Sequence, residues 1–281
     1  MSELKGNGFN LKRLGSLLLT LLFLTCFVFP LYVLLATSFK TSKEFMLSPY
    51  GFPRQLFLDN FFKAITQSNF FTLFKNSTVI LVVSMLFLIV FSSMAAYPIQ
   101  RNNSSRFYKN LYLFFVMGLM FPTLLILLPL YKLLGFVHLI NTSVGIILCY
   151  IGGNIPFLVF YNVGFMQTIP KELDEAALID GASKYVVFWK IIFPLLRNSL
   201  LTVIVIQVVW IWNDFLTPMV FLQNYDSMTV MVGMSNFIGE RSTDWPLIFA
   251  FMTVSVLPVI SLYIAFQKYI QKGLVTGAIK G

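Results

Sequence analysis

The sequence predicts an all-α, polytopic membrane protein with six transmembrane helices, and three observations carry that prediction. The chain is 58% hydrophobic and 11% charged, with a mean hydropathy of +0.81, against about 25% charged residues in an average soluble domain. Six windows, approximately 15–36, 76–99, 111–131, 143–166, 199–222 and 247–267, each match the roughly 20 apolar residues needed to cross a bilayer core of about 30 Å. Those windows are continuously apolar and do not alternate with period two, so helices are expected rather than a barrel.

The first window follows Lys12 and Arg13, as a secretory signal would. Its length of more than 20 residues and the lack of a small-x-small cleavage site predict an uncleaved anchor instead. A basic N-terminal segment (1–14) thus precedes a transmembrane region of six spans (15–267), and a basic tail (268–281) follows it. Between spans one and two lies the longest connection, Thr37 to Lys75, with a turn at Gly51 to Pro53 and an aromatic run, FLDNFFKAITQSNFFTLF. That run is expected to form an amphipathic surface helix. No separate extramembrane domain is expected in a connection of this size.

Basic residues exceed acidic ones by nine, and their placement reports topology rather than nucleic acid binding. Lys5, Lys12 and Arg13 precede span one, Arg101, Arg106 and Lys109 join spans two and three, and Lys171, Lys184, Lys190 and Arg197 join spans four and five. Lys268, Lys272 and Lys280 follow span six. The positive-inside rule puts these segments and both termini in the cytoplasm. Lys40, Lys43, Arg54, Lys63 and Lys75 in the long 1–2 segment weaken the contrast, but long loops count for little.

Several function classes are excluded. His138 is the single histidine, so neither a histidine-based metal site nor a histidine-activated nucleophile can be assembled. No HExxH, GxSxG, GxGxxG or Gly-Lys dipeptide occurs, which removes the zincin, hydrolase-elbow, dinucleotide and Walker A readings. Intramembrane acids, the usual relays of ion-coupled carriers, are nearly absent. Cys26 and Cys149 fall inside predicted spans, where buried thiols act as small hydrophobes.

The acids that do exist are concentrated. Of eleven Asp and Glu residues, Glu172, Asp174, Glu175 and Asp180 lie within nine positions of KELDEAALIDGASKYVVFWKIIFP, Lys171 to Pro194. Thr168 is expected to cap a helix, with Pro170 in its first turn and Glu172 and Asp174 favoured there by the helix dipole. Gly181 is expected to end that helix in a left-handed conformation. Ser183 then caps a second helix carrying Tyr185, Val186, Phe188, Trp189 and Ile192 and ending at Pro194. Two short angled helices with small residues Ala176 and Ala177 beside an acid suggest a docking element, the alternative being an interfacial helix resting on lipid.

At these residues the sequence resembles the permease subunits of ABC importers. Glu175-Ala176-Ala177, three residues, Gly181, nine residues, Ile191, one residue, Phe193 and Pro194 match the EAA loop of that family, with Phe193 where the pattern has Leu. The likeness extends to the carbohydrate branch, which includes the shorter permease of maltose-type importers. It is carried by TSFKT after span one, KNS at Lys75 to Ser77, AAYPIQR at Ala95 to Arg101, NTSVGIILCY at Asn141 to Tyr150, NIPF at Asn154 to Phe157, WNDFLTP at Trp212 to Pro218 and GLVTGAIKG at Gly273 to Gly281.

The resemblance implies a type I ABC importer permease fold and a sugar import role without enzymatic activity. It implies a second permease subunit, two ATPase subunits that bind ATP and Mg, an extracellular solute-binding protein and a sugar substrate, with no cofactor in this chain and no nucleic acid partner. It assigns the loop 168–195 to ATPase coupling, through Glu175, Ala176, Ala177, Asp180, Gly181, Ser183, Ile191 and Pro194. It also brings the tail, with Gly277 and Lys280, between the ATPase subunits, the alternative being a disordered end. A non-sugar ABC permease, for an amino acid, metal or phosphate, is the second reading, and a stand-alone carrier or channel the third.

For the substrate path, Gln207, Trp210 and Asp214 recur at spacings of three and four on span five, with Asn213 beside them. An aromatic face and planar polar groups suit a sugar, whereas Asp214 would equally serve as a cap or structural anchor. Gly152-Gly153-Asn154 before Pro156 marks either a helix break facing a wet cavity or a packing kink.

Overall fold

A computed structural model describes residues 7–237 and 244–278. The described residues form helices joined by short connections: α1 Asn7–Ser38, α2 Ser42–Leu47, α3 Asp59–Gln67, α4 Phe70–Arg101, α5 Arg106–Gly118, α6 Thr123–Phe136 and α7 Ser143–Met166. There follow α8 Glu172–Ile179, α9 Lys184–Val187, a π-helical turn Phe188–Ile192, α10 Phe193–Leu195, α11 Arg197–Asn213, α12 Leu216–Phe221, α13 Val230–Gly233 and α14 Trp245–Ala278. Among the described residues, four stretches are long and apolar enough to cross a membrane, Arg13–Ser38, Phe70–Arg101, Ser143–Met166 and Trp245–Ala265. Two bent helix pairs bring the number to as many as six.

One bend and one helix end correct two expected spans. Span three is not one straight helix: α5 and α6 meet at 100°, because Pro122 holds an extended conformation (ψ 129°) and a proline disfavours helix in the residue before it. Span five stops at Asn213, since Asp214 is extended (ψ 120°), so the expected continuation to 222 is broken. Conversely, α7 runs unbroken through Gly152, Gly153 and Pro156, where a helix break was one of the two expectations. In the sixth span the helix continues well past 267, so Gly277 is helical backbone. Lys280 lies outside the described residues.

The chain divides into two compact units, one of Met1–Asn69 with Met234–Val256 and one of Phe70–Gly233 with Leu257–Gly281. In the first, the side chains of α1 from Leu17 to Leu31 are exposed all round. The segment that follows is more ordered than a linking loop. Lys40 is fully buried, and its Nζ donates to the carbonyls of Ser48 and Pro49, both at 2.9 Å. Burial lowers the Lys40 pKa from its ordinary value, with the Glu44 carboxylate opposing. Asn60 Nδ2 donates to the carbonyls of Ser38 and Lys40, which ties α3 to this knot. The expected surface helix is thus α3 alone, and FFTLF already belongs to α4.

In the second unit α4 packs along α7. Buried Ser84, Ser92, Ser93 and Ala96 on α4 keep that contact close, as small residues do between membrane helices. Asn162 Nδ2 of α7 donates to Ser92 Oγ at 3.0 Å. Trp212 on α11 packs edge-on to Phe74 of α4. Asn141 holds the corner before α7: its Oδ1 accepts from the N–H groups of Gln223 and Asn224, and its own N–H donates to the Phe221 carbonyl.

Candidate functional site: the acidic loop and the helix-lined cavity

The acidic loop begins where α7 ends. Thr168 does not cap α8 as expected, because its hydroxyl donates back to the Phe165 carbonyl at 2.9 Å, and Lys171 takes the cap position without a side-chain bond. Glu172 and Glu175 stay exposed in the first turn. Asp174, expected there for the dipole alone, is instead 7% exposed and ion-paired to Arg101, with Nε to Oδ2 at 2.5 Å. Tyr97 Oη also donates to Oδ2, at 3.4 Å.

The end of α8 follows the expectation closely. Gly181 has φ +84°, its N–H donates to the Leu178 carbonyl and the Ala182 N–H to the Ala177 carbonyl. These two bonds are the 5→2 and 6→1 pair of a Schellman end. Ser183 Oγ then accepts from the Val186 N–H and starts α9.

Beyond α9 the chain makes a π-helical turn in which the Phe193 N–H donates to the Phe188 carbonyl. Pro194 has no N–H to continue an α-helical ladder, and the widened turn just ahead of it absorbs the change of register. The helix therefore passes Pro194, where an end was expected, and stops at Leu195. It meets the stretch Ser199–Asn213 at 72°. Phe193 packs at a tilt against Phe188 and Trp189, so the departure from the family's Leu is absorbed by an aromatic cluster.

The loop is two-faced. Val187, Phe188, Ile192 and Leu196 are buried, and Val187, Ile192 and Leu196 join a core with Ala96 and Ile99 of α4 and Val159, Val163 and Met166 of α7, against which Ala177, Ala182 and Ile191 are half-buried. The opposite face carries Ile179 at 85% and Tyr185 at 75% exposure, with Leu173 and Leu178 also exposed. Glu175, Ala176, Asp180, Gly181, Ser183 and Pro194 are likewise exposed. Apolar side chains held outward on a rigid two-helix frame form a surface suited to a partner.

The second feature is a cavity of about 650 Å³ lined by α5, α6, α7 and the α11–α12 break. Asn154, Trp210 and Asp214 line it together, and Gln207 and Asn213 do not. The expected common face of Gln207, Trp210 and Asp214 is therefore absent. Trp210 is 72% exposed and Gln207 only 4%, and Asp214 sits beyond the helix end. Asn213 Nδ2 bonds back to the Val209 carbonyl. Asp214 Oδ1 accepts from the N–H groups of Leu216 and Thr217, and Oδ2 accepts from Tyr150 Oη at 3.1 Å. Its carboxylate thus caps α12 and ties it to α7 at the cavity wall.

Asn154 Nδ2 donates to the Tyr150 carbonyl, which leaves its Oδ1 as the acceptor. Pro156 deprives the Gly152 carbonyl of its helical partner, so this stretch adds backbone polarity to a mostly apolar wall. Gly118 lets the end of α5 approach, since a Cβ there would meet Pro156 Cγ at 3.0 Å. Pro122 and Gly118, which shape the cavity, were visible in the sequence as helix punctuation. Arg101 was visible by its charge and as the end of AAYPIQR, and neither pointed to Asp174.

Residues 88–276 match the model of the family described as binding-protein-dependent transport system inner membrane component. The chain belongs to that family. It is a multi-pass membrane component of a transport system working with a solute-binding protein and ATPase partners, and its part is transport rather than catalysis. Among curated proteins it is 34% identical over 253 residues, 89% of this chain and 91% of the other, to a probable starch degradation products transport system permease protein of Thermoanaerobacterium thermosulfurigenes. It is 36% identical, over 90% of this chain and 91% of the other, to the melibiose/raffinose/stachyose import permease protein of Bacillus subtilis. The fold is shared with a chain of a bacterial ABC transporter involved in alginate import, at a TM-score of 0.80 and 18% identity, covering 95% of this chain and 99% of that one.

Proposed function

We propose that this family member is the permease subunit of an ATP-driven importer of a sugar or oligosaccharide, and that the loop 168–195 is its ATPase-coupling element. The observation that carries the coupling reading is the two-faced loop, with Val187 and Ile192 buried beneath it and Ile179 and Tyr185 held outward. The relatives, named for transport of starch degradation products and import of melibiose, raffinose and stachyose, support the sugar class. A second permease completes the pathway as a heterodimer, and ATP and Mg bind in the two ATPase subunits, so this chain itself holds no cofactor. Both termini are placed in the cytoplasm in this proposal, a reading supported by the basic residues that flank the loop and the spans.

Trp210, Asn154 and the α11–α12 break supply the sugar path with an aromatic face and hydrogen-bonding groups. The assembled complex in liposomes, given binding protein loaded with a panel of mono- and oligosaccharides, tests the reading by stimulated ATP hydrolysis and uptake. Stimulation by at least one sugar is expected, and Ile179→Asp is expected to release the ATPase subunits during purification. Stimulation by an amino acid or phosphate instead of any sugar would overturn the substrate class, and full ATPase retention by Ile179→Asp would overturn the docking face.

A further inference from the structure

Asp174 is the one residue of α8 that is buried, although Leu173, Leu178 and Ile179 in the same helix are apolar and exposed. The one buried side chain of this helix is therefore a charge, with Ala177 half-buried against the core. Its partner Arg101 is the last residue of α4, and both side chains are only 10% exposed. The guanidinium uses its whole set of donors. Nε and Nη2 take the two carboxylate oxygens of Asp174, Nη1 takes Gln100 Oε1 and the Ile169 carbonyl, and Nη2 also takes the Pro170 carbonyl. A planar fork of five N–H groups so bound fixes orientation as well as distance, which a lysine ammonium at 101 would not do.

The second half of the loop is held differently. Val187 and Ile192 sit in an apolar core, and such contacts are non-directional. A movement imposed on α9 and the π-helical turn is passed on through apolar packing. One imposed on α8 is carried through the ion pair to the end of α4.

Resting on the coupling reading above, we infer that Arg101 and Asp174 are positioning residues that transmit displacement of α8 to α4, without themselves touching the ATPase subunit. Closure of the ATPase pair then moves α4, and with it α7 packed along its length, only while the fork is intact. The link is at once the attachment of the first loop helix and the point at which docking is separable from transport.

The test uses the full complex in liposomes with its binding protein. Asp174→Asn and Arg101→Lys are each expected to keep the ATPase subunits through purification, while sugar uptake and the ratio of stimulated to unstimulated hydrolysis fall by about tenfold. In the double variant Arg101→Cys with Asp174→Cys, a short bis-methanethiosulfonate bridging the two thiols is expected to restore the ratio, and reduction to abolish it again. A purely structural role would show instead as loss of the ATPase subunits, so the deciding readout is the ratio at unchanged retention. Wild-type uptake in both single variants would overturn the inference, as would failure of the bridged double variant to recover with ATPase subunits still attached. Loss of the ATPase subunits from the single variants would show that the pair builds the docking surface, also against it. Failure of the docking reading is separate, because it shows in Ile179→Asp with Arg101 and Asp174 untouched.

Discussion

Replacing Gly181 separates backbone geometry from partner contact at the end of α8. The residue has φ +84°, and a Cβ built there meets nothing within 4 Å in its own chain. An alanine therefore meets no clash here and bears only the left-handed backbone, about 1–2 kcal/mol, which is a factor of about 5–30 between the closed helix end and a frayed one. Valine, with a β-branch, is a worse outlier at positive φ. Asparagine tolerates that region, yet is larger than alanine.

If backbone strain alone decides the effect, stimulated ATP hydrolysis and uptake should fall in the order Gly, Asn, Ala, Val. If a docked ATPase surface lies against Gly181, Asn should fall below Ala while the isolated chain keeps its fold. Uptake, stimulated hydrolysis and ATPase retention on purification are measured together on the four complexes. Wild-type values for Gly181→Val in all three would refute the assignment of this turn to the ATPase contact.

Asp214→Ala removes the cap of α12 and the Tyr150 bond, at a cost of about 0.5–2 kcal/mol for the cap; uptake should drop with assembly preserved, and Asp214→Asn, which keeps an acceptor for the Leu216 and Thr217 N–H groups, should recover much of it. Unchanged uptake in Asp214→Ala would make the α11–α12 break irrelevant to transport. Lys40→Met removes the donor to the Ser48 and Pro49 carbonyls, about 0.5–1.5 kcal/mol for each hydrogen bond lost, and should speed proteolysis within 41–56; an unchanged digestion rate would refute the anchoring role. Single cysteines at Ser2 and Ser48 should show opposite accessibility to an impermeant maleimide in intact cells, Ser48 labelled and Ser2 not. Labelling at Ser2 would reverse the proposed orientation.

The all-α membrane class, the near-boundaries of α1, α4 and α7 and the left-handed Gly181 were legible in the residues themselves. Each depends on local causes: apolar length against bilayer thickness, and one glycine placed where a helix must end. The family followed from motif spacing. The bend at Pro122 and the helix end at Asp214 were marked by residues that commonly punctuate helices, but apolar windows average over such single positions, so span three was drawn as one straight helix and span five was drawn too long.

Other features came only with the tertiary structure. Asp174 in a first helical turn satisfies the dipole argument whether exposed or buried, and nothing within the loop shows that Arg101, more than seventy positions earlier, bonds it. Lys40 looked like one more loop charge, until its Nζ proved to hold two carbonyls. Gln207 and Asp214 share a helical spacing, but spacing implies a common face only while the helix continues, and it ends between them. Sequence alone thus determined what depends on neighbours along the chain, namely spans, caps and turns. Packing decided which charges were paired and which polar groups met in one cavity, because those free energies depend on burial and on partners brought together from distant positions.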